Sequence, residues 1–201
     1  MFTSLLGLFS IQTLFLSQET IIPNYIKEKH SSISTLLVSF LISCAELSAL
    51  FVSLLISNFL EKIGRKNTIV IGFVIFVLGT AFFAITDLIQ NATTFYIVAF
   101  ICRLISGAGD QLIQTTTYSV LSSTFPKSRE KILGYGEVAA AIGLMLGPIL
   151  GGTLNTLLRF MLTYLIFAGV LAFNGLLVFI VMPNSLNNKP EITEQQIDAM
   201  S

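Results

Sequence analysis

The sequence predicts an all-α membrane protein, a bundle of six transmembrane helices. Hydrophobic residues make up 54% of the 201 residues and charged ones 11%, and the mean hydropathy is +0.84. That leaves too little polar surface to cover a water-soluble globule. The apolar residues are also gathered into stretches of about 20 residues or more, the length a helix needs to cross a hydrocarbon core. Net charge is zero and no basic cluster exceeds a few residues, so there is no electrostatic footprint for nucleic acid. Cys44 and Cys102 both fall in apolar stretches with no CxxC spacing, and the single histidine, His30, is far from either in sequence. Neither a disulfide framework nor a bound metal or cofactor is expected.

The six segments run roughly over 2–25, 34–60, 67–86, 93–122, 132–156 and 160–182. The first has no basic stretch before it and carries Gln12 and Glu19 on one face ahead of Pro23, so it reads as a spanning helix and not as a cleaved signal peptide. Short polar connections, IKEKHSS, EKIGRKN, DLIQNAT, FPKSREK and a brief turn over 155–159, make successive helices antiparallel neighbours. Beyond Pro183 the chain turns polar, as a solvated tail or the start of a linker.

Basic residues set the orientation. Lys62, Arg65, Lys66, Lys127, Arg129, Lys131 and Lys189 fall on one side, against Lys27, Lys29 and Arg159 on the other. The bias predicts both termini in the cytoplasm. The sequon Asn91-Ala92-Thr93 is then outside, but too near the membrane to be expected to carry a glycan.

Ionisable residues inside spanning helices are costly and point to function. In segment four Arg103, Gly107, Asp110, Gln114 and Tyr118 recur at steps of three and four, hence on one helical face. Such a face is expected to line a wet cavity, the plainer reading being an internal ion pair that fixes packing. Segment two repeats the pattern with Ser39, Ser43, Glu46, Ser53 and Ser57. The serines are explained by close helix packing, whereas Glu46 is expected to face the cavity. Glu19 and Glu137 lie nearer the ends of their segments, where reaching water is as good an account as lining a pathway.

Segment five contains GYGEVAAAIGLMLGPILGG, poor helix material by propensity. Gly143, Gly147 and Gly151 recur every four residues, two overlapping GxxxG patterns that let another backbone approach closely. Pro148 removes one backbone bond and is expected to kink the rod. A smooth, bent helix suits a seam that slides or rocks while staying sealed. A nucleotide-binding glycine loop is a poor alternative, since no strand precedes it and no P-loop lysine follows.

The spacing of Gly134, Gly143, Gly147, Pro148, Gly151 and Gly152 fills every position of G-x8-G-x3-G-P-x2-G-G, and so resembles the fifth-helix antiporter motif of the major facilitator superfamily. SNFLEKIGRK resembles that superfamily's loop between helices two and three, with Gly64, Arg65 and Lys66 matching, Glu61 for the aspartate, Lys62 for the arginine and Ser57 for the first glycine. RLISGAG resembles its fourth-helix motif, with Ser106 in place of glutamine. The run from Arg103 into the glycine motif is similar to the polyamine-type branch of the vesicular amine transporters, and the motif set also resembles drug/proton antiporters.

The resemblance implies no enzyme, but a proton-coupled antiporter of a small organic solute, a cationic amine being the candidate, working by rocker-switch alternating access. Arg103 would belong to proton translocation. Glu61, Lys62, Gly64, Arg65 and Lys66 would form a cytoplasmic charge latch. The first-helix aspartate of vesicular monoamine transporters has no counterpart here, Glu19 being the only acid in segment one. Family members have two six-helix halves with substrate held between them. Residues 1–182 are thus expected to form one half-transporter domain and 183–201 a cytoplasmic tail or the start of the inter-half linker. The chain would need a second half in cis or trans: a piece of a longer protein, a self-pairing half-transporter, or a non-transporting structural or regulatory remnant, in that order. Left alone, the half is expected to pair Arg103 with a carboxylate of segment one, two or four.

Overall fold

The computed structural model describes residues 1–187, apart from the side chains of Ser57, Asn58, Phe59, Glu61 and Ser185. Lys189 and the rest of the tail lie outside the described residues, as does the Glu61 side chain of the expected latch. Five helices account for nearly all of it: α1 (Phe2–Lys29), α2 (Thr35–Ile63), α3 (Arg65–Ile85), α4 (Ala92–Thr124) and α5 (Arg129–Val181). All five are long and apolar enough to cross a membrane.

Local chemistry explains the boundaries. Ser34 opens α2 by accepting from the Leu37 amide, and Asn91 opens α4 by accepting from the amides of Thr93 and Thr94 at 3.0 and 3.2 Å. Helix α2 ends at Gly64, whose φ of 85° is a left-handed value that glycine adopts without steric cost. Pro126 follows the end of α4. Pro23 lies inside α1, which runs on to Lys29 and takes up half of the connection expected there.

Six separate helices were expected, and the last two instead join in one 53-residue element. Its backbone leaves the helical region at Arg159 (φ 64°, ψ 173°), within the expected turn and not at Pro148. A straight helix would hold Gly143 and Asn174 about 45 Å apart. Yet a Cβ on Gly143 would lie 2.5 Å from Phe9 O, and Asn174 Nδ2 donates to Ser10 Oγ at 2.8 Å. The chain therefore doubles back at Arg159, and both arms of α5 lie against α1.

Helix α1 runs through the middle of the bundle, burying Leu8, Ile11, Leu14, Ile21 and Ile22 among Phe73, Phe76, Val120, Leu121 and Leu171. One end is closed by aromatic rings: Tyr25 stacks on Phe160 at 3.9 Å, His30 on Phe95 at 4.3 Å, and Phe83 meets Tyr164 at 5.0 Å between centroids. Lys29 pairs there with Asp87 at 2.7 Å. At the other end Arg65 donates to Ser123, and Lys66 to Asn184. Arg65 and Lys66 of the one expected basic set thus lie at the end opposite Lys29 of the other. Leu36, Phe51, Leu54, Phe82, Met145, Leu157 and Phe179 are exposed on the outside of the rods, as suits a surface solvated by lipid.

Candidate functional site

The polar residues of α4 divide between two environments. Arg103 is 1% exposed and points between α1 and α2, donating through Nη1 to Gln18 Oε1 and through Nη2 to the Ile42 carbonyl at 3.2 Å. Its Nε has no partner among the described residues. Among the described residues no carboxylate pairs with it, contrary to expectation, and the ion pair found is Lys29–Asp87. The guanidinium is long enough to leave the cavity face and reach a neutral amide and a backbone oxygen. Hydrogen bonds with one charged partner contribute more than neutral ones, about 1.5 to 3 kcal/mol.

Gln18 was not singled out by the sequence, although the signal was there. An amide at the step after Ile11 and Leu14, on a stripe continuing to Ile21, is a polar group on an otherwise buried apolar face. Asn174, 4% exposed and tied to Ser10 of α1, was missed in the same way.

One turn or more beyond Arg103, α4 turns polar groups into a hollow. A cavity of about 200 Å³ between α1, α2 and α4 is lined by Gln12, Phe15, Glu46, Asp110, Gln111 and Gln114, among others. Gln12 and Gln114 also line an adjoining hollow of about 440 Å³ that includes Tyr118 and Glu137. Glu46 and Gln111 line a third, of about 540 Å³, with Ser43 and Ser53. Five of the expected residues, Glu46, Asp110, Gln114, Tyr118 and Glu137, thus come together on one connected face. Arg103 and Glu19 do not line these three hollows.

Asp110 Oδ1 is shielded from solvent and has no hydrogen-bond partner among the described residues. Glu46 is exposed on the open side of the same cavity. Gly107 allows this convergence, because a Cβ there would lie 2.2 Å from the Ala45 carbonyl oxygen of α2. Ser48 Oγ donates to Leu104 O at 2.7 Å and ties the same crossing. Cys44 and Cys102 are both buried free thiols.

The glycine face of α5 is a close contact, and its partner is α1 of the same bundle. Besides Gly143, a Cβ on Gly147 would lie 2.7 Å from Thr13 O, and one on Gly151 2.6 Å from Ser17 Cβ. Gly134 and Gly152 meet nothing within 4 Å and stand outside this contact, whereas Gly136, not singled out, packs toward Tyr118 and Leu8. The glycine pattern showed that some backbone comes close without saying which one.

Length, hydropathy and helix count define an integral, multi-pass, all-α membrane protein with a polar hollow in its wall. The sequence profile of the Major Facilitator Superfamily matches residues 3–197, and the chain belongs to that family. It is 28% identical over 153 residues to the MFS-type transporter SLC18B1 of Homo sapiens, covering 75% of this chain and 33% of the relative. It is 29% identical over 133 residues to Multidrug resistance protein 1 of Bacillus subtilis (strain 168), covering 66% and 32%. To the Vesicular acetylcholine transporter of Drosophila melanogaster it is 29% identical over 125 residues, covering 61% and 20%. Membership places the chain with transporters and not with enzymes. The alignments span about a third or less of these relatives.

Proposed function

We infer that this chain forms one half of a transporter for a small organic solute, coupled to protons in the antiport direction and complete only with a second six-helix half in cis or trans. The observation that carries this is the row of hollows lined by Gln12, Glu46, Asp110, Gln111 and Gln114 in a bundle whose outer surface is apolar. A carboxylate oxygen held there without a partner is expensive in a membrane, and Asp110 Oδ1 is such an oxygen. It suits a group that takes up and releases a proton or receives a cationic solute. Glu46, Gln114, Tyr118 and Glu137 continue the route, and Arg103 and Glu19 stand behind and beside it.

In the same reading residues 1–182 are the half-transporter domain and 183–201 lead onward from it. Both termini are cytoplasmic, because the end holding Lys62, Arg65, Lys66, Lys127, Arg129 and Lys131 is the more basic. Glu61, Lys62, Gly64, Arg65 and Lys66 act as the latch of one access state, and the Gly143–Gly147–Gly151 contact with Pro148 is the seam about which helices shift. The acids on the hollows favour a cationic amine, as does the name of the acetylcholine transporter among the relatives.

Counterflow in proteoliposomes with an imposed pH gradient tests the proposal. Uptake should follow the gradient and be lost in Asp110→Asn. Uptake indifferent to both would remove the coupled mechanism. The second reading is a structural or regulatory membrane protein without transport. It requires no counterflow under any gradient from the chain, alone or with its second half.

A further inference from the structure

Helix α3 begins at Arg65 directly after Gly64, so no side chain at the capping position accepts from its first free amides. The acceptor arrives from the far end of the fold. Asn187, in the short turn Asn184–Asn187, accepts from the Asn67 backbone amide through Oδ1 at 3.2 Å, and its Nδ2 donates back to Asn67 Oδ1 at 3.1 Å. Asn184 Oδ1 accepts from the Lys66 ammonium at 2.8 Å, and that ammonium lies 5.3 Å from the Phe179 ring centre. Lys66 is consequently only 6% exposed, whereas Lys62 in the last turn of α2 is exposed. Leu186 packs against the core beside this contact.

Residue 64 must be glycine for the turn to fit. Its φ is 85°, and a Cβ there would lie 2.6 Å from the Asn187 Cα. Two separate features thus converge: a helix start without its own cap, and a buried lysine held by an amide instead of a carboxylate.

We propose that Asn184–Asn187 is a strap that docks on residues 64–67, caps α3 from outside its own helix and encloses Lys66, fastening the end of α5 to the loop between α2 and α3. Docked, it covers the positive end of α3 and leaves Lys66 a neutral partner. Released, it exposes Lys66 beside Arg65 as a cationic helix end.

The test is amine acetylation of the whole chain in detergent, read by mass spectrometry, with Lys62 as the internal reference. Labelling of Lys66 follows the population of locally opened molecules. In the unaltered protein Lys66 should react about tenfold more slowly than Lys62, the protection one or two hydrogen bonds give. Asn184→Ala with Asn187→Ala, and separately Gly64→Ala, should bring the two rates together. Asn187→Asp keeps the acceptor and should keep Lys66 slow. Equal rates in the unaltered protein, or slow labelling that survives both the asparagine and the glycine replacements, overturns the strap. Because the first of these needs no variant, misfolding of a variant leaves the proposal testable.

Discussion

Ser17 Oγ of α1 lies 2.6 Å from the Gly147 carbonyl oxygen of α5 and equally close to Thr13 O, so one hydroxyl proton is shared between its own helix and the neighbour. This contact exists because Gly143, Gly147 and Gly151 present no side chains to α1. It locks together two helices that the sequence separates by 130 positions.

Replacing Gly147 by leucine puts a side chain where a Cβ would already meet Thr13 O at 2.7 Å. The overpacking should cost on the order of 1 to 3 kcal/mol. Thermal unfolding in detergent should show that loss, and counterflow should fall by more than expression does. A Gly147→Leu protein that moves solute normally would contradict the seam.

Removing the amide partner of Arg103 by Gln18→Leu leaves a guanidinium that is 1% exposed with the Ile42 carbonyl as its remaining partner among the described residues. The expected loss is about 1.5 to 3 kcal/mol, the worth of a hydrogen bond to a charged group. Gln18→Glu keeps an acceptor and should retain more stability than Gln18→Leu. The ordering of unfolding midpoints of the two variants checks this.

Asp110 and Glu46 line one cavity but differ in access, one oxygen of Asp110 being sealed and Glu46 exposed. Asp110→Asn should therefore abolish gradient-driven uptake, while Glu46→Gln should weaken solute affinity and leave the response to the gradient. Uptake measured against solute concentration at two pH gradients separates the two effects.

His30 gives the fold a pH dependence. It is 4% exposed, stacked on Phe95 and near Tyr25, with Nε2 lacking a partner among the described residues. Burial first and the Lys29 ammonium second push it below its ordinary value of 6.5, against the pull of Asp87. The unfolded chain then takes up a proton near 6.5 that the folded chain refuses. Stability is complete above that pH and falls as the pH drops toward the folded value. His30→Gln should flatten this slope in detergent unfolding midpoints taken from pH 7.5 to 5, and an unchanged slope would assign it to other groups.

The sequence by itself determined the membrane class, the turn near Arg159 and the polar face of α4. Each follows from composition or from the helical period, which are properties of a chain read one residue after another. Only the tertiary structure decided the partners. Arg103 shares a helical face with Asp110, yet its longer side chain leaves that face to reach Gln18, while Asp110 stays in the hollow. The period says which residues lie side by side on one rod, and it says nothing about which rod comes next. For the same reason the GxxxG spacing announced a close backbone but not α1, and the glycine of the basic loop could not reveal that Asn187 would arrive to cap α3.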